Sequence, residues 1–227
     1  LEGEARLLDG TVASTATEGW NDLLESFAPD GQNSNGVWKR TTDGNLRSES
    51  TATNENPNLS FGDRPRGSYE LEFGVVFHQA ERMLVHLPAG AGMTSFSLKR
   101  PANEAAWETD GVFDRNRSEH WTAVPLASET EHRVQVRVDV IGTQVHLSGT
   151  VDGVKLPEFD ADATTLSAAG PARRSNNKPA AGMRQSFGLH VGTGNTATVT
   201  QFRYRERQAE KAASGPGGCS DVLADRE

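Results

Sequence analysis

The chain has 227 residues, a net charge of −8 and a hydrophobic fraction of 35%. That length suits one all-β sandwich with a full core and gives no reason to divide it. The acidic balance disfavours nucleic acid and anionic membrane, which ask for a basic surface. No apolar run approaches the roughly 20 residues of a membrane-spanning helix, so no membrane insertion is expected in this segment.

Cys219 is the single cysteine, which excludes an intrachain disulfide. It stands in the Gly-rich SGPGGCSD, as an exposed thiol or a crosslink to another chain. No signal peptide is recognisable, and the chain opens on Leu1. It therefore reads as a processed form or an excised piece.

In chain order, LLDGTV (7–12) reads as an edge strand. GWNDLLESF (19–27) sets Trp20, Leu23, Leu24 and Phe27 at helical spacing, which predicts a short helix stopped by Pro29. GQNSNG (31–36) reads as a turn cluster. GVWKRT (36–41) and NLRSES (45–50) are strands joined at Asp43-Gly44, and NLSFG holds a further short strand. In GSYELEFGVVF (67–77), Tyr69, Leu71, Phe73, Val75 and Phe77 share one face, with Glu70, Glu72 and His78 on the other. RMLVHL (82–87) and TSFSLK (94–99) follow, separated by the flexible turn PAGAG.

Residues 100–130 read as the longest irregular segment. The clearest hairpin comes next. Val134, Val136, Val138 and Val140 alternate with polar residues, Gly142 makes a turn, and Val145, Leu147 and Val151 resume the apolar face. Asp152-Gly153 is a tight turn of the kind that needs positive φ. Residues 159–183 read as a polar, locally basic loop. SFGLHV (186–191) and TATVTQFRYR (196–205) close the domain, and a phase slip predicts a β-bulge near Thr200 and Gln201. The domain therefore spans 1–205, with 206–227 as a flexible tail. Many short strands, tight turns and little helix give an all-β class: an antiparallel jelly-roll sandwich with a short N-terminal helix.

Trp38, Asp43-Gly44, the strand Tyr69 to Phe73, the strand Val134 to Val140, Asp152-Gly153 and Gly188-Leu189 fall in an order that resembles the concanavalin A-like, laminin-G-like sandwich. Within it the chain is most similar to the 3-keto-disaccharide hydrolase-type domain and allied bacterial modules of unknown role. The resemblance covers residues 20–205 and rests on architectural positions. The hydrolase-type pattern carries Asn-Ser-Gly and an Arg after the first long strand, where this chain has RMLVHLPAGAG. It also carries a Tyr-Glu-x-Gln-like strand, where this chain has TSFSLKR. What the resemblance implies is an extracytoplasmic interaction or sugar-binding module, secreted, periplasmic or at the cell surface, with a glycan or other cell-surface ligand as partner.

The candidate ligand-binding residues lie in the long segment: Trp107, Asp110, Asn116, His120 and Trp121. Aromatic faces stack on sugar rings, while carboxylates and amides bond their hydroxyls; the alternative is that both tryptophans cover the core. Glu70 and Glu72 point the same way from one strand and would suit retaining glycoside hydrolysis at about 5–5.5 Å separation. Laminarinase-type members of the superfamily add a further acid on that strand, whereas here Phe73, Gly74, Val75 and Val76 follow. A solvated strand face is the plainer account. Asp114, Asn116 and Ser118 imitate part of a calcium loop, but the Gly and the closing acid are missing. His86, His146 and His190 share a strand phase and would make a zinc site only if they converged. Arg173, Arg174, Lys178 and Arg184 form a basic loop, suited to an anionic glycan or to solvation. No nucleophile elbow or phosphate loop is present, and no catalytic residue, metal or cofactor is assigned. The leading expectation is a non-catalytic carbohydrate-binding or interaction module. The alternatives are a glycoside or 3-keto-disaccharide hydrolase, and a spacer domain of a larger protein.

Overall fold

Alternating apolar and polar residues build two antiparallel sheets that close on each other. A computed structural model describes residues 19–27, 33–35, 37–49, 57–62, 65–108, 120–166, 186–192 and 196–207. In chain order the strands are β1 (Asn21–Asp22), β2 (Asn33–Asn35), β3 (Val37–Arg40), β4 (Leu46–Glu49), β5 (Asn58–Ser60), β6 (Tyr69–Phe77), β7 (Arg82–Ala89) and β8 (Gly92–Lys99). Then come β9 (Glu104–Glu108), β10 (Trp121–Ala123), β11 (Glu131–Ile141), β12 (Gln144–Val151), β13 (Val154–Lys155), β14 (Phe159–Asp162), β15 (Gly188–Val191) and β16 (Ala197–Glu206). The larger sheet runs β13-β12-β11-β6-β16-β4-β3, with β1 beside β16 and β14 beside β12. The smaller runs β10-β9-β8-β7-β15-β5-β2.

The face assignments hold. Tyr69, Leu71, Phe73, Val75 and Phe77 are buried, as are Val134, Val136 and Val138. They meet Met83, Val85, Leu87, Phe96 and Leu98 of the smaller sheet in one core. Among the described residues, side-chain hydrogen bonds tie the layers together: the Tyr69 hydroxyl donates to Pro88 O at 2.8 Å, and Trp107 Nε1 donates to Pro157 O, between β13 and β14, at 2.7 Å. Asp152 and Gly153 take φ of 49° and 81°, the positive angles that their tight turn demands. The register between β16 and β6 shifts between Val199 and Gln201, where the phase slip predicts it.

Other expectations are corrected. Residues 19–27 form no helix. Asp22 Oδ1 accepts from Leu24 N at 2.8 Å and Glu25 N at 3.3 Å, which closes a side-chain-capped turn. Leu23 N donates to Phe202 O, and Arg40 takes the carbonyls of Leu24 and Phe27. The backbone groups that would propagate a helix are used elsewhere, while Leu23, Leu24 and Phe27 still reach the core. Residues 100–130 contain β9 and β10. In β9 Ala105, Ala106, Trp107 and Glu108 are all buried, and a strand covered on both faces shows no alternation. Asn33–Asn35 in the turn cluster pairs with β5 as a strand, and the loop from 159 opens with β14 paired to β12. Residues 7–12, 173–184 and 208–227 lie outside the described residues.

Candidate functional site

The outer face of the smaller sheet is assembled by register. Trp121, Ala106, Ser97, Leu84, His190 and Asn58 stand side by side in one row across six strands. Glu108, Ser95, His86, Gly188 and Ser60 form the next row. This face is polar and largely withdrawn from solvent: Ser95 and Ser97 are 0% exposed, Glu108 1% and His190 9%.

Most of its polar groups are positioned by a partner. Arg82 Nη2 donates to both oxygens of Glu108, one at 2.6 Å, and Lys99 Nζ approaches Glu108 at 3.7 Å. Register sets Arg82 and Glu108 on opposite sides of Ser97, so this ion pair spans the small Ser97 side chain. His86 Nδ1 lies 3.0 Å from Ser95 Oγ, and His190 Nδ1 donates to Asn58 Oδ1. Gly188 leaves room for the His86 ring, since a Cβ there would sit 3.0 Å from Leu59 O and 3.2 Å from His86 Cδ2.

Burial pulls the His86 pKa down to about 4. Burial takes His190 to about 3, helped by the charges of His86 and Arg82. Both rings are neutral imidazoles near pH 7. With Nδ1–H of His190 bonded to Asn58, its Nε2 is an acceptor. Ser97 Oγ and Trp121 Nε1 are buried without a hydrogen-bond partner among the described residues. Ser97 is enclosed beneath the Arg82–Glu108 pair, and the half-buried Trp121 indole ends the row.

The sequence candidates divide. Trp107 is 1% exposed and packs on Phe96 at 5.2 Å between centroids, so it is a core residue and presents no ring to a ligand. Its inward phase on a strand buried on both faces explains this. Trp121 lies half-buried on the outer face. His120 is 8% exposed, edge-on to Phe159 at 4.6 Å. Asp110, Asn116 and the run 114–119 lie outside the described residues, as do Arg173, Arg174, Lys178 and Arg184. His86 and His190 occupy neighbouring strands, but His146 belongs to the larger sheet, so the three do not converge. No group of three or more His, Cys, Asp or Glu suited to a metal ion occurs among the described residues.

Glu70 and Glu72 line a cleft of about 420 Å3 on the outer face of the larger sheet. Each is held by arginine: Glu72 by Arg203 at 2.8 Å, Glu70 by Arg205 and by Arg207 at 3.4 Å. Trp20 lies 4.7 Å from both the Arg203 and Arg205 guanidinium carbons. The two carboxylates are thus neutralised by arginines, with their side chains about a quarter exposed. The smaller-sheet residues Ser97, Arg82 and Glu108 escaped the sequence reading because their meeting depends on strand order, which local pattern does not encode.

No protein-family model matches the chain, and no curated protein matches it. Solved structures do. Lectin II from Ulex europaeus is similar at a TM-score of 0.52 and 10% identity, over 83% of this chain and 98% of that one. A Bacillus subtilis protein of unknown function with a galectin-like fold is similar at 0.51 and 10% identity, over 77% and 88%. The fold is a concanavalin A-like β-sandwich. Neither neighbour is named as a 3-keto-disaccharide hydrolase-type domain, and identity this low speaks for fold alone.

Proposed function

We propose that the chain is a non-catalytic carbohydrate-binding module that acts outside the cytoplasm and takes a neutral glycan on the outer face of its smaller sheet. The observation that carries this reading is Trp121, which stands half-buried at the end of the outer-face row with its Nε1 lacking a hydrogen-bond partner among the described residues. A sugar presents hydroxyls that both donate and accept, and an apolar ring face that an indole covers. Trp121 provides the stacking surface. Asp110, Asn116 and His120 precede Trp121 in the sequence and are the polar candidates to accompany it. The lectin-like fold of the solved neighbours supports the class. Glu70 and Glu72, engaged with arginines, give the hydrolase alternative no support.

The test is a glycan array probed with the purified chain. Trp121→Ala is expected to abolish binding with the thermal midpoint near that of the wild type. Trp107→Ala is expected to destabilise by about 3–5 kcal/mol instead, as a large core deletion does. A chain that binds no neutral glycan, or one whose binding survives Trp121→Ala, refutes this reading.

A further inference from the structure

The cleft of about 420 Å3 on the larger sheet lies on the opposite side of the sandwich from Trp121 and has a different chemistry. Its floor is two rows of paired side chains. Lys155, Thr150, Gln135 and Glu72 make one, and Ser148, Arg137 and Glu70 the other. Ion pairs fix the carboxylates: Arg203 holds Glu72, and Arg205 with Arg207 holds Glu70. Gln135 donates Nε2 to Glu72 Oε1 at 3.1 Å, which leaves its carbonyl oxygen free to accept. Arg137 is braced by Asp139 at 2.6 Å. Lys155 is exposed and has no carboxylate partner among the described residues.

We propose that this cleft is a second binding site, for a saccharide residue that carries a carboxylate: a uronic acid. The unspent cation is Lys155, with the Thr150 and Ser148 hydroxyls beside it as donors to a carboxylate. Glu70 and Glu72 keep lone pairs beyond those used by their arginines, and these accept sugar hydroxyls. The same carboxylates, with Glu158 also lining the cleft, oppose a dianion such as phosphate more strongly than a singly charged acid. The volume is that of a small-ligand site.

The experiment titrates the full chain with trigalacturonate, triglucuronate and neutral trigalactose by calorimetry. At least one uronate is expected to bind more tightly than trigalactose, with affinity that falls as salt is added. Lys155→Gln is expected to weaken that binding about tenfold, and Thr150→Val to weaken it less. Lys155 is exposed, so the thermal midpoint of its variant stays at the wild-type value. Absence of binding to both uronates overturns the proposal, as does a Lys155→Gln chain that binds like wild type. Uronate binding that depends on Trp121 in place of Lys155 also overturns it. A chain that binds neutral glycans on the array but neither uronate removes this site and leaves the smaller-sheet reading standing.

Discussion

His86 shows how burial makes a chemical group out of an ordinary side chain. Its pKa falls from 6.5 to about 4 because the sheet and Ser95 enclose the ring. The unfolded chain takes up the proton first as pH falls. Stability is therefore unaffected above the unfolded pKa, declines as pH drops through 6.5, and levels off below about 4. Denaturant unfolding is expected to show a loss of about 2–3 kcal/mol from this residue between about pH 7 and pH 4.5. His86→Gln is expected to remove that part of the slope, and an unchanged slope refutes the burial argument. Val136 and Gln135 make the matching test of face. Val136 is 2% exposed and Gln135 faces solvent. Val136→Asp is expected to cost several kcal/mol, about 4 or more, because a carboxylate enters the core alone. Gln135→Asp should cost under about 1 kcal/mol. Thermal unfolding compares them directly. The phase of these side chains was legible in the sequence. The arginine partners of Glu70 and Glu72 were not, because they arrive from β16, more than a hundred residues on.

Long strands with one wet face announced themselves, and β6, β11 and β12 appear where alternation puts them. β9 stayed hidden because Ala105 to Glu108 are buried on both faces and erase the period. Trp20, Leu23, Leu24 and Phe27 imitated a helix because a turn followed by an inward-facing loop delivers apolar groups at similar spacing. The bulge in β16 gives a prediction at this scale. Thr200 donates to Glu131 across Gly74, and a Cβ on residue 74 would lie 2.2 Å from Thr200 Oγ1 and 2.8 Å from Glu131 Oε1. Gly74 is thus required by the crossing of a side-chain bond over its strand, where β6 sits between β11 and β16. Gly74→Val is expected to destabilise by about 1–3 kcal/mol, as overpacking does. Adding Thr200→Ala is expected to recover part of that loss, because the nearest obstacle is gone. Denaturant midpoints of the single and double variants measure the coupling, and strict additivity would count against this account.

At the scale of the molecule, the last two described strands are the keystones of both sheets. β15 lies between β7 and β5 in the smaller sheet, and β16 lies between β6 and β4 in the larger. Without them β2 and β5 lose their connection to one sheet, and β3 and β4 to the other. The aromatic centre of the core also depends on this segment. Phe187 packs on Tyr69 at 5.2 Å, and Phe202 stacks on Phe61 at 4.8 Å. A chain that ends after residue 166 retains the hairpins of β7–β8 and β11–β12, yet each sheet is then cut through its middle. Such a chain is expected to show no cooperative thermal transition and no near-ultraviolet signature of fixed tryptophan. A chain that ends after Arg207 is expected to unfold cooperatively, since β16 is complete at Glu206. The same topology sets the kinetics. Strands paired across most of the chain length must close large loops before they gain contacts, so refolding belongs on the millisecond-to-second scale of non-local β-proteins. Stopped-flow fluorescence measures it. Microsecond refolding, or a cooperative transition in the chain cut at 166, would show that the two sheets assemble without their central strands.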